Sequence, residues 1–324
     1  MNGASPLLEI EDLSVVFHTR SGSVLANDGV SLTLRAGETL GIVGESGSGK
    51  SVFCRAILGL AKGEVRARRM AFDGRDIAAM SRSEKQALRG RGIAMVFQSP
   101  MSSLDPVWTI GDQLVETVRH HKGLDRAGAR RAAIALLDRV GIPSAARRLD
   151  DYPHQWSGGM LQRAVIALAL AGEPRLMLAD EPTTALDVTI QDQILALLTE
   201  LQRETGMALV LVSHDLGVIA ETVDRVAVMY AGRIVETASV RHLFERPAHP
   251  YTVGLLGSMV GAAGQGERLR PIPGQPPDLH HLGTGCAFAP RCSRAGDDCH
   301  RAVPRIDPAA AHDAACLFPM EAER

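Results

Sequence analysis

The chain has 324 residues, 45% of them apolar and 22% charged, which suits a globular protein of one large domain with an appendage, or of two domains. Its net charge of −2 argues against a general nucleic-acid or anionic-lipid surface, because such surfaces need an excess of positive charge. Only four of the 35 basic residues are lysines (Lys50, Lys62, Lys85 and Lys122). Genomic base composition accounts for that bias, and it leaves Lys50 conspicuous as a lysine kept where arginine is the habit.

The opening MNGASPLLEIEDL is acidic and has no apolar h-region, so no secretory signal is expected. The longest apolar run, Ala164 to Ala171, is far shorter than a membrane-spanning helix. A cytosolic, reducing compartment is therefore expected. Residues 7–17 and 24–34 alternate and predict strands, the second with a turn near Asn27-Asp28-Gly29. TLGIV (39–43) is a buried strand that stops at glycine, and residues 51–61 carry helical spacing. GIAMVF (92–97) predicts another strand. From about 100 to 155 the pattern turns helical, with RAGARRAAIALLDRVGI as an amphipathic helix. Residues 160–172 predict a buried helix, and 189–205 a helix between the strands LMLAD (176–180) and ALVLVS (208–213), followed by VAVMY (226–230). Strand alternating with helix predicts a mainly parallel sheet with helices on both faces. After about residue 245 the chain becomes rich in Pro and Gly without a long period, in ERPAHPYT, GAAGQGE and RPIPGQPPDL, which sets a boundary.

Two motifs carry phosphate chemistry. Gly44-Glu45-Ser46-Gly47-Ser48-Gly49-Lys50-Ser51 matches G-x-x-x-x-G-K-[ST] between a buried strand and a helix. Glycines let successive N–H groups turn inward around phosphate oxygens, and the helix N-terminus adds partial positive charge. Lys50 is expected on the β- and γ-phosphates and Ser51 on Mg²⁺. In LMLADE, Asp180 and Glu181 stand at a strand's C-terminal end, where open α/β sheets bind ligands. Asp180 is expected to serve Mg²⁺ and Glu181 to polarise the attacking water.

WSGGMLQR (156–163) places Ser157-Gly158-Gly159 directly before the buried helix, as a second anion-binding helix start. Here the chain resembles the ATP-binding subunits of ABC transporters, whose signature reads LSGGQ; Trp156 and Met160 replace its first and last letters. The resemblance covers residues 7 to about 245. It implies that Gln98 in VFQSP is the Q-loop glutamine serving Mg²⁺ and water, Ala185-Leu186-Asp187 the D-loop, and His214 in LVSHD the γ-phosphate switch. It makes Phe17 the adenine-stacking aromatic, with a core position as the alternative. It further implies a P-loop NTPase of ABC type: a mainly parallel core sheet, an antiparallel β subdomain and a helical subdomain at about 100–165, all within residues 1–245. Two such chains would sandwich ATP, each Lys50 loop meeting Ser157, Gly158, Gly159 and Asp187 of the other.

HPYT (249–252), RPIPGQPP (270–277) and GCAFAPRC (285–292) resemble the C-terminal extension of the dipeptide/oligopeptide importer branch, here residues 246–324. That branch implies a second, related ATPase chain, two transmembrane permease subunits and an extracytoplasmic solute-binding protein, with the chain peripheral on the cytoplasmic membrane face and no nucleic-acid partner. Nickel, glutathione and sugar-oligomer importers share the extension. An exporter subunit and a soluble ABC ATPase are the alternatives; the extension argues against the first, and the single cassette against the second. Four of the five cysteines, Cys286, Cys292, Cys299 and Cys316, fall in this tail. Their spacing matches no common zinc pairing and no ferredoxin run. Four soft ligands suit either a [4Fe–4S] cluster, which the resemblance favours, or Zn²⁺, with free or disulfide-bonded cysteines as the third reading. Cys54 reads as a small buried hydrophobe.

Overall fold

The computed structural model describes residues 5–184, 186–258, 271–308 and 310–320. Ala185 of the expected D-loop, Arg270 at the head of RPIPGQPP and the stretch GAAGQGE lie outside the described residues. The chain divides into two compact units, residues 1–79 with 211–324, and residues 80–210.

The first unit opens with an antiparallel sheet. β1 (Leu8–Thr19) alternates, with Leu8, Ile10, Leu13 and Val15 buried, the pattern of a half-buried strand. It pairs antiparallel with β2 (Gly22–Leu34). No turn interrupts β2 at Asn27-Asp28-Gly29. The register steps from Leu13↔Val30 to Val15↔Asn27, which puts an extra residue into β2 as a bulge, with Gly29 at φ +63°. Long-range contacts outvote the local turn signal: Asn27 is fully buried and donates to Gly49 O at 3.2 Å, while Asp28 is ion-paired with Arg233 at 2.5 Å. β3 (Thr39–Val43) is buried throughout and leads through the glycine loop into α1 (Lys50–Ile57). α1 ends earlier than the pattern predicted. β4 (Glu64–Arg66), β5 (Arg69–Phe72) and β6 (Arg75–Asp76) complete the antiparallel sheet in the order β2-β1-β5-β6, with β4 on β1.

The second unit runs α2 (Arg82–Arg91), β7 (Ile93–Val96), α3 (Pro100–Ser103), α4 (Ile110–Lys122), α5 (Arg126–Arg139), α6 (Ala145–Arg148), α7 (Gly158–Leu170), β8 (Leu176–Asp180), α8 (Val188–Thr205) and β9 (Ala208–Ser213), the division falling within β9. β7 and β8 pair in parallel from Ile93↔Leu176 to Val96↔Ala179. Each longer helix starts on a residue that caps it: Thr109, Asp125, Ser157 and Asp187 all accept from a backbone N–H of the first turn. α7 buries Leu161, Ala164, Val165, Ile166, Ala167 and Leu170, as its nearly all-round apolarity predicts.

The chain then returns to the first unit with α9 (Leu216–Thr222), β10 (Arg225–Tyr230), β11 (Arg233–Ser239), α10 (Val240–Glu245), α11 (Pro250–Gly257) and β12 (Asp313–Ala314). β10 pairs in parallel with β3, β11 antiparallel with β10, and β12 from the tail antiparallel with β11. Within this unit β3 and β10 are thus parallel, and β11 and β12 continue from β10 as an antiparallel edge.

Candidate functional site

In the first unit the glycine loop closes on its own lysine. Gly44 (φ +155°) and Gly49 (φ +100°) adopt conformations that favour glycine, and a Cβ would stand 2.1 Å from Met229 O at the first and 2.4 Å from Ala26 O at the second. Gly49 is also the N-cap of α1 and offers no side chain to it. Lys50 is 4% exposed and its Nζ donates to Gly44 O (2.7 Å), Glu45 O (2.9 Å) and Ser48 Oγ (3.4 Å). The ammonium sits in the concavity of the loop, as a phosphate ligand requires. Ser46 and Gly47 lie at its exposed crest. Phe17 lies near the end of β1, half-buried and paired with Val24, outside the apolar core. His214 follows β9 and is exposed, and the next residue, Asp215, caps α9 through Gly217 N at 2.7 Å.

In the second unit Gln98 and Glu181 come together. Glu181 follows β8 in a left-handed conformation, φ +47°, which costs a non-glycine residue on the order of 1 kcal/mol and is held only where the surroundings impose it. Its Oε2 accepts from Gln98 Nε2 at 2.8 Å and from Thr184 Oγ1 at 2.9 Å. Asp180, the last residue of β8, is fully buried. Ser157 caps α7, its Oγ accepting from Met160 N at 3.4 Å, and Gly158 and Gly159 form the first turn. A Cβ on Gly159 would come within 2.8 Å of Ile190 Cγ2. Trp156, which departs from the usual signature, is buried and donates from Nε1 to Asp151 at 3.1 Å. Asp187 Oδ1 accepts from Ile190 N at 3.0 Å and so caps α8.

The four tail cysteines, all in the first unit, line one small cavity together with His249, Phe288 and Ala315. None is in a disulfide. Burial pushes the Cys286 and Cys316 thiols up, and the neighbouring cysteines push them further. Among the described residues no three His, Cys, Asp or Glu side chains converge as a metal-ion site. His249 Nδ1 accepts from Tyr251 N at 3.1 Å, so its proton is on Nε2, and that buried N–H has no hydrogen-bond partner among the described residues. Burial alone lowers the pKa of His249 to about 4. Cys54 is fully buried on α1.

Sequence reading included Glu45 in the phosphate loop but missed the tail contacts that hold it, and it missed Glu236 and the part played by Asn27. Glu45 is held by Tyr251 and Arg291. Glu236, fully buried in β11, accepts from Ala248 N and His249 N, both at 2.8 Å, and pairs with His312 at 2.9 Å. Asn27 braces Gly49. The one available signal was a glutamate standing in an apolar strand.

The glycine loop, the buried acidic strand end and the Ser-Gly-Gly helix start define an ATP-binding cassette. Solved structures agree. A dimeric ATP-binding cassette in a post-hydrolysis state, bound to ADP and Pi, is 28% identical with a TM-score of 0.65, covering 72% of this chain and 99% of that one. CbiO1 from Clostridium perfringens, part of an ABC transporter complex, is 28% identical with a TM-score of 0.64, covering 75% and 92%. The ABC transporter family model matches residues 27–184, and that of the oligopeptide/dipeptide transporter C-terminal region matches residues 235–299. The oligopeptide transport ATP-binding protein OppD of Salmonella typhimurium is 47% identical, covering 98% of this chain and 95% of that one. The dipeptide transport ATP-binding protein DppD of Escherichia coli is 46% identical, covering 97% of both. A putative peptide import ATP-binding protein of Brucella abortus is 51% identical, covering 93% of both. The chain belongs to the ABC transporter family of ATP-hydrolysing subunits, in the branch that carries the oligopeptide/dipeptide C-terminal region. Among the described residues no helix is long and apolar enough to cross a membrane.

Proposed function

We propose that this chain powers an importer for di- or oligopeptides or related solutes, acting on the cytoplasmic membrane face through two permease subunits, with a solute-binding protein outside and a second, related ATPase chain as its partner. The observation that carries this is the C-terminal region matched at residues 235–299, which accompanies peptide-import relatives alike over nearly their whole length. Residues 1–245 serve as the nucleotide-binding domain and 246–324 as its extension. The glycine loop and Lys50 take the phosphates, Ser51 takes Mg²⁺, and Phe17 stacks on the base. His214 meets the γ-phosphate. Asp180 and Gln98 serve Mg²⁺ and the water, and Glu181 draws the water's proton; its fixed hydrogen bonds to Gln98 and Thr184 support that role by setting the carboxylate's orientation. Ser157, Gly158, Gly159 and Asp187 act on the nucleotide held by the partner chain. Reconstitution with the permeases tests the reading: ATP hydrolysis should rise when peptide-loaded binding protein is added. Hydrolysis indifferent to loaded binding protein, at every peptide length tried, would count against a peptide importer.

We further propose that the cysteine cavity holds a [4Fe–4S] cluster. The residues fit it: four thiols face one cavity, and an orphan N–H of His249 is a ready donor to a sulfide. A single zinc ion, with its sulfurs drawn to about 2.3 Å, is the alternative occupant. Bound, the cluster would supply folding energy to a tail with few apolar residues. Anaerobic purification with iron, sulfide and zinc analysis decides it. About four irons and four sulfides per chain is the expected result; one zinc, or no metal, would remove the cluster from the account.

A further inference from the structure

Two conspicuous motifs of the tail meet one residue of the phosphate loop, and the third braces the side chain that reaches it. Glu45 is the second residue of that loop. Its backbone N–H donates to the hydroxyl of Tyr251, from HPYT, at 2.9 Å. Its carboxylate accepts both arms of Arg291, from GCAFAPRC, at 2.7 and 3.0 Å. Arg291 Nε donates to the carbonyl of Pro273, from PIPG, at 2.8 Å, and Nη1 reaches Tyr230 Oη at 3.2 Å. The guanidinium lies 5.8 Å from the ring centres of Tyr230 and Phe288, and its side chain is only 5% exposed. Every edge of the fork is answered, so Arg291 has one place to be. A bidentate, largely buried guanidinium–carboxylate pair is among the stronger polar contacts a protein makes.

The chemistry of the loop says what the contact is for. A loop that must receive a triphosphate carries a carboxylate of its own, and like charges at short range repel. A cation paired with both carboxylate oxygens offsets that charge and fixes the side chain. We infer that Arg291 is a positioning residue for ATP binding: it neutralises and fixes Glu45, so that the loop amides and Lys50 face the phosphates. The C-terminal extension thereby sets the nucleotide affinity of the chain that carries it. Tyr251 holds the same residue by its backbone.

The inference rests on the loop being the ATP-binding element, so Lys50→Ala is run alongside; if that variant still binds MgATP, the loop assignment itself fails. The experiment is calorimetric titration of the full-length chain with MgATP, with thermal unfolding in parallel. Arg291→Ala should raise Kd about tenfold, the range of one strongly coupled pair. Glu45→Gln keeps an acceptor for Arg291 and removes the charge it offsets; its Kd sets the reference level for the double variant. The double variant should recover to that same level, because the uncompensated carboxylate is gone. In the assembled transporter the loss in Arg291→Ala should fall on KM for ATP and leave kcat nearly unchanged. Arg291→Gln, which keeps a donor toward Pro273, gives the same reading if the alanine variant does not fold. An unchanged Kd in Arg291→Ala or Arg291→Gln overturns the proposal. So does a double variant as weak as Arg291→Ala with a matching loss of Tm, since that would make the contact one of general folding.

Discussion

The two anion-binding helix starts of this protein are built differently. α1 begins on Gly49, a left-handed glycine with no side chain to offer. α7 begins on Ser157, whose hydroxyl accepts from Met160 N at 3.4 Å. The first start has the make-up proposed for phosphate: a glycine backbone and a buried lysine held by the loop's own carbonyls. The second is self-satisfied through a long hydrogen bond that an incoming oxygen can replace at small cost. On the proposed reading, the first helix start grips a nucleotide on a solitary chain and the second engages one when a partner arrives.

Variants break or sharpen this contrast, and the largest effect concerns chemistry. Glu181→Gln should keep MgATP binding and lower turnover in the assembled transporter by a factor of at least a hundred, measured by phosphate release. Wild-type turnover there would remove Glu181 from its role. Lys50→Ala comes next: it takes the charge from the first start, and MgATP affinity should fall on the order of a hundredfold, read by the same titration as above. Gly49→Ala forces a Cβ to within 2.4 Å of Ala26 O at φ +100°, and should lose about 2 kcal/mol of stability through strain, visible as a Tm lower by several degrees. The smallest change is Ser157→Ala. Loss of a long cap bond should cost about 0.5 kcal/mol and leave the Kd of the solitary chain unaltered, while turnover of the assembled complex falls. A solitary chain that loses affinity in Ser157→Ala would erase the distinction between the two starts.

Much of the site was legible because its determinants are local. The loop 44–51 shows itself through glycines whose spacing is set by backbone geometry within eight residues. β8 and β9 have the bounds that their apolar runs predict, 176–180 and 208–213, since a fully buried strand leaves no polar position to blur its ends. The Ser157 cap is likewise decided within four residues. The turn expected at Asn27-Asp28-Gly29 went the other way: a local turn signal yielded to Gly49 O and Arg233, each well over a dozen residues off. The strand pairing of β11 with β12 was invisible too, because β12 has only two residues and no alternation to detect.

The four cysteines were legible as a set, and the structure brings all of them to one cavity. The orphan N–H of His249 beside them was not, since nothing in HPYT says which ring nitrogen is occupied by Tyr251 N.

By itself the sequence determined the class of ATP-hydrolysing cassette, the order of its motif segments and the kind of tail that follows them. These follow from residue types within reach of one another along the chain, where spacing alone dictates which backbone groups can face an anion. Only the tertiary structure decided what the tail does to the loop. Glu45 and Arg291 are 246 residues apart, and their pairing depends on where Tyr230, Pro273 and Phe288 pack. No pattern along the chain encodes that meeting; the burial of one guanidinium among them does.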